Sequence, residues 1–205
     1  DLVGALDVWA LGDDPTFDNS LKPKLERIVR LADSDPVREH LRDAVKRREK
    51  LEEFANSIDI ESQPLATLEL LTALLTRNED RIAFLLRLHQ QLPDNFRVNL
   101  ALGIEMERAK RHSEAVRFGT AAVALRPNSA VAHANLGAAL GNQGSADEAI
   151  ASLRNAIRLD PKAYWAHYSL GVVHMKRGFV DDAVAAYREC IRIQPDFVSG
   201  QGNLG

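Results

Sequence analysis

The sequence has a single cysteine, Cys190, so no disulfide can form within the chain, and such usage fits a reducing, cytoplasmic setting. It has no apolar run approaching about 18 residues, which removes a membrane-spanning helix, and no signal-peptide pattern. It opens at Asp1 without a methionine and stops at Gly205 inside a recurring pattern, so a piece of a longer protein is expected. Excess charge of one sign is also missing. The net charge is -3, and the one basic cluster, Lys46, Arg47, Arg48 and Lys50, is interleaved with Asp43, Glu49, Glu52 and Glu53. That mixture suits a solvated helix face and gives no stripe for nucleic acid. What remains is an ordinary soluble composition, 45% hydrophobic and 27% charged, that can bury a core.

The informative feature is a period. Pro93, Pro127, Pro161 and Pro195 recur every 34 residues, the length of a helix-turn-helix repeat. Leu102-Gly103, Leu136-Gly137 and Leu170-Gly171 keep the same interval, as do Glu114-Ala115, Glu148-Ala149 and Asp182-Ala183. A glycine in the first helix and an alanine in the second let two backbones approach, and Ala122, Ala156 and Cys190 form a further small row. Leu153 and Tyr187 fill the space left over. Each proline pushes the residue before it out of the helical region and so closes a second helix. Gly144 and Gly178 suit left-handed turns between helices. Such hairpins cannot bury their apolar faces alone and must stack.

These positions resemble the tetratricopeptide repeat (TPR) family from Phe96 to Pro195, continuing in Val198 to Gly205. The resemblance implies an all-α fold, a right-handed α-solenoid of helix-turn-helix units preceded by a non-repeat helical segment. The expected boundaries are an N-terminal segment 1–61, a degenerate hairpin 62–95, repeats at 96–129, 130–163 and 164–197, and a truncated start at 198–205. Two departures stand out. Gly119 takes a place where the family prefers a bulky residue, which predicts local looseness at about 1 kcal/mol against alanine, with Phe118 taking over some packing. Lys110 replaces the turn glycine.

Leu68, Leu71 and Leu75, then Ile82, Leu85 and Leu88, make helical stripes that predict a packed hairpin near Pro64–Thr76 and Glu79–Gln91. Further upstream the pattern stays helical without the period: Leu2, Ala5, Leu6 and Trp9 share one face, Leu21–Ala32 reads as a second helix, Asp35-Pro36 starts a third, and Leu51, Phe54 and Ile58 suggest a fourth. "ALDVWALG", "RIVRLADSDPVREHLRDAV" and "PLATLELLTALL" resemble the helical stretch before the TPRs of large bacterial serine/threonine protein kinases. That resemblance implies an accessory region of a signalling enzyme. The chain has no glycine-rich loop, His-Arg-Asp loop or Asp-Phe-Gly, so no residue present is assigned phosphoryl transfer.

Chemistry is scarce elsewhere. His133 and His167 are one period apart, which predicts a shared structural role rather than metal ligation. Gly137, Gly141 and Gly144 follow no strand and do not make a phosphate loop. Cys190 reads as a buried spacer. No catalytic set, metal site or cofactor is expected.

In TPR arrays the first helix of each unit lines a concave face. The resemblance maps that groove onto Arg97, Leu100, Ile104 and Arg108, then Val131, Ala134, Ala138 and Asn142, then Trp165, Tyr168, Val172 and Lys176. Asn135 and Asn203 occupy positions resembling the asparagine ladder of O-GlcNAc transferase, interrupted by Ala101 and Ser169. Leu100, Ile104, Ala134, Ala138, Tyr168 and Val172 stand where chaperone-binding TPRs carry lysine and asparagine, so that carboxylate clamp is missing. A protein or peptide partner of apolar or mixed character is expected, with neither nucleic acid nor membrane insertion. The competing readings are a structural spacer, self-association through the truncated C-terminal end, or the TPR region of a glycosyltransferase.

Overall fold

In the computed structural model, residues 51–197 are described, and they form helices with no strand among them. The expected helices at Leu2–Trp9, Leu21–Ala32 and Asp35 onward, the kinase-like motifs before Leu51, and the repeat start at 198–205 lie outside the described residues. The chain divides into two compact units, the first ending at Gln91 and the second beginning at Leu92.

The first unit shows α1 (Leu51–Ser57), α2 (Leu65–Leu74) and α3 (Asn78–Gln91), each packed on the other two. Its core is the leucine stripe read from the sequence: Leu68, Leu71, Leu75, Ile82, Leu85 and Leu88 are all buried, with Leu51 and Ile58 from the α1 region. Helix ends leave carbonyls without partners, and arginines satisfy them here. Arg87 donates to the carbonyls of Ala55 and Ile58, the latter at 3.1 Å, and Arg81 to those of Leu75 and Thr76 at 2.7 and 3.1 Å.

The second unit holds three hairpins: α4 (Phe96–Arg108) with α5 (His112–Leu125), α6 (Ala130–Gln143) with α7 (Ala146–Leu159), and α8 (Tyr164–Lys176) with α9 (Val180–Ile193). Each second helix packs on the next first helix, and first helices touch one another, α4 on α6 and α6 on α8. This is the stacked arrangement that the period demands.

The local causes repeat as well. Arg126, Asp160 and Gln194, each just before a proline, leave the helical region with φ of -138°, -138° and -131°, ending α5, α7 and α9. Asn95 opens α4 by accepting from the N–H groups of Arg97 and Val98, and Ser129 opens α6 by accepting from Ala132. Gly144 and Gly178 are left-handed at φ 104° and 76°. Lys110, at the equivalent place, takes φ 59° despite its side chain.

The small rows work as expected. A Cβ on Gly137 would lie 2.6 Å from Leu153 Cγ, and one on Gly171 would lie 2.6 Å from Tyr187 Cε1. Gly119 is not a gap. A Cβ there would sit 3.3 Å from Leu136 Cα, so α5 passes close against α6 while remaining one continuous helix, and Phe118 beside it is buried. The absent side chain at Gly119 lets the two helices approach here.

Candidate peptide-binding face

Residues spaced i, i+3, i+7 and i+11 fall on one stripe of a helix. Three such stripes stand side by side, 97, 100, 104 and 108 on α4, 131, 134, 138 and 142 on α6, and 165, 168, 172 and 176 on α8. At the N-terminal ends Arg97, Val131 and Trp165 are exposed; at the C-terminal ends Arg108, Asn142 and Lys176 are exposed. Between them Leu100, Ile104, Asn135, Ala138, Tyr168 and Val172 are half-buried and form a largely apolar floor.

Ala134 does not belong to this surface. At 3% exposure it lies in the core cluster with Leu140, Ala149, Leu153, Ala163, Ala166 and Val173. Its single methyl packs inside that cluster, which joins α6, α7 and α8. Tyr168 is also more confined than an open anchor. Its ring centroid is 5.2 Å from that of Phe197 and 5.8 Å from that of Tyr187, with Tyr164 joining through Phe197 at 5.0 Å. Trp165 stands edge-on to Tyr164 at 5.1 Å and keeps 36% exposure. Aromatic edge contacts of this kind fix ring orientation.

The C-terminal rim carries a polar relay. Lys176 Nζ donates to Asn142 Oδ1 at 2.6 Å, Asn142 Nδ2 donates to Glu107 Oε1 at 2.5 Å, and Glu107 Oε2 meets His112 Nδ1 at 2.9 Å. Three repeats are thus joined side chain to side chain. Glu107 and His112 are the two members that the sequence does not point to. The period equates Asn142 and Lys176 with Arg108 rather than with Glu107, so it gives no signal for Glu107.

Near this rim an open cleft is lined by Lys110, Arg111, His112, Ser113, Glu114, Asn142 and Gln143. Two of its ionisable groups have ion-pair partners, Arg111 in Glu114 and His112 in Glu107. Arg111 grips Glu114, and that hydrogen bond holds the Glu114 carboxyl below its ordinary value. Arg108 reaches Glu105 at 2.7 Å.

The histidines have structural work. His133 Nε2 lies 2.9 Å from the Pro127 carbonyl and His167 Nε2 3.2 Å from that of Pro161, while Asn99 Nδ2 donates to Pro93 at 2.7 Å. One position thus ties each first helix to the proline turn before it. Among the described residues no group of three or more His, Cys, Asp or Glu could hold a metal ion, and no helix is long and apolar enough to cross a membrane. Cys190 is fully buried, and burial pushes its thiol above the ordinary value, which disfavours the nucleophilic thiolate.

Two family models match this part of the chain, one for a TPR repeat over residues 142–178 and one for the tetratricopeptide repeat over 164–197. The hairpins there match the tetratricopeptide repeat pattern. Solved structures agree on the fold of TPR type. A crystal structure of MamA is 28% identical over 62% of this chain and 74% of its own, with a TM-score of 0.56. YrrB, described as a TPR protein with an unusual peptide-binding site, is 20% identical over 83% of this chain and 91% of its own, with a TM-score of 0.65. The first TPR of Spaghetti (RPAP3), bound to the HSP90 peptide SRMEEVD, is 16% identical over 53% of this chain and 86% of its own, with a TM-score of 0.50. No curated protein matches the sequence.

Proposed function

We propose that this chain is a non-catalytic interaction scaffold that holds a segment of another protein on the TPR face of α4, α6 and α8. The observation that carries the reading is the pair of exposed apolar side chains, Val131 at 41% and Trp165 at 36%, on the same row of neighbouring first helices above a half-buried floor. Exposed apolar side chains at matched positions favour a partner over water, and tryptophan is enriched among residues that dominate binding. The solved relatives described as peptide-binding or peptide-bound lend the reading support by fold alone.

In its finer form, this scaffold is the accessory region of a larger bacterial serine/threonine kinase, working in the cytoplasm. The support is the motif resemblance of "ALDVWALG" and the two helical stretches after it, with the lone buried Cys190 fitting a reducing compartment. Self-association is a second reading. Met175, Phe179 and Val180 are exposed together around the α8–α9 turn, and a sedimentation measurement that found only monomer would remove it.

The test of the binding role is selection of a displayed random-peptide library on the chain, repeated on Trp165→Ala. Peptides enriched on the parent and lost on the variant are expected. Equal enrichment on both would show that this face is not the binding surface.

A further inference from the structure

We propose that the segment held on this face is extended and carries an apolar side chain for Trp165 and a carboxylate for Lys176, about five residues apart. The inference rests on the peptide-binding reading above and adds the chemistry of the occupant. Trp165 and Lys176 lie on one stripe of α8, and at a rise of 1.5 Å per residue their Cα atoms are about 16 Å apart. An extended chain covers about 3.3 Å per residue, so roughly five residues span the distance.

Charge picks out the second anchor. Neither α6 nor α8 contains an aspartate or glutamate. The ammonium of Lys176 donates to two neutral oxygens, Asn142 Oδ1 at 2.6 Å and the Gly141 carbonyl at 3.5 Å, and among the described residues no carboxylate pairs with it. An ammonium has three protons, so one remains for a ligand. The relay through Asn142 to Glu107 also fixes where the ammonium sits, which lowers the entropy cost of engaging it. Arg108 at the neighbouring rim is already matched by Glu105, so Lys176 is the better cation for an incoming carboxylate. At the other end Trp165, with Val131 beside it in the row, offers apolar area to a side chain such as leucine.

The experiment is the same library selected in parallel on the full chain, on Lys176→Glu and on Lys176→Gln. Lys176 is exposed, and helical circular dichroism of both variants checks that the fold persists. On the parent chain the enriched peptides should carry an acidic residue about five positions from an apolar one. Lys176→Gln should weaken those peptides several-fold, and Lys176→Glu should weaken them by about tenfold or more while enriching lysine or arginine at that position. Enriched peptides with no acidic preference, or a preference unchanged by Lys176→Glu, would overturn the inference and leave the binding face standing. No enrichment over Trp165→Ala would overturn the binding reading and this inference together.

Discussion

His133 and Pro127 are joined by a hydrogen bond from the ring Nε2 to the proline carbonyl, 2.9 Å away. A carbonyl oxygen only accepts, so Nε2 carries the proton and the tautomer is set by this partner. Asn99 makes the same bond to Pro93 with its amide. His133→Asn should therefore keep the link, whereas His133→Ala should cost about 1 kcal/mol, the usual net worth of such a bond. Urea denaturation of the two variants checks it, and equal losses would mean that ring packing rather than the bond matters.

The glycine rows give a graded prediction. A methyl on Gly171 would meet the Tyr187 ring at 2.6 Å, and one on Gly137 would meet Leu153 Cγ at 2.6 Å, both inside any tolerated contact. On Gly103 the nearest atom is Gly119 N at 3.4 Å, an ordinary separation. Alanine in place of mid-helix glycine gains about 1 kcal/mol of helix propensity. Gly103→Ala should be neutral or mildly stabilising, while Gly137→Ala and Gly171→Ala should lose about 1–3 kcal/mol through overpacking. Thermal melts of the three variants read the order directly.

Lys110 sits at φ 59° where the next repeats place glycine. Left-handed backbone costs a residue with a Cβ about 1–2 kcal/mol. Lys110→Gly removes that cost but frees the unfolded chain, so a net gain of about 0.5–1 kcal/mol is expected. Gly144→Ala should move the other way, since nothing crowds its Cβ and only the backbone objects. A rise in stability for Gly144→Ala would refute the strain account of this turn.

Much of the repeat architecture was legible because it is periodic: the prolines, the glycine and alanine rows and the shared role of His133 and His167 each follow from equivalent positions. The hairpin at Leu65–Gln91 was legible for another reason, since its leucines keep helical spacing without the signature. Ala134 was misplaced because family position alone does not tell whether a one-carbon side chain reaches past its neighbours to the surface. The confinement of Tyr168 is not legible, because it comes from Phe197, almost 30 residues later in sequence and at no repeated spacing. The relay through Glu107 depends on side-chain reach between units, which a pattern of types does not encode.

Tyr187 supplies a pH test of the third repeat. It is buried against Gly171, and burial, with repulsion from the neighbouring Tyr168 phenolate as a lesser cause, raises its phenol above the ordinary value of 10.0. A raised folded value means that the neutral phenol stabilises the fold fully below the unfolded value, and that this contribution is lost as pH climbs from there through the folded value. Buried Cys190, also pushed up from its ordinary 9.0, acts with the same sign, so Cys190→Ala is the proper background. In that background the melting temperature should fall above about pH 10, and adding Tyr187→Phe should flatten the fall by removing the ionising group. Identical alkaline profiles with and without the phenol would show that ionisation of Tyr187 does not limit the stability of this repeat, and that the ring contributes there through packing alone.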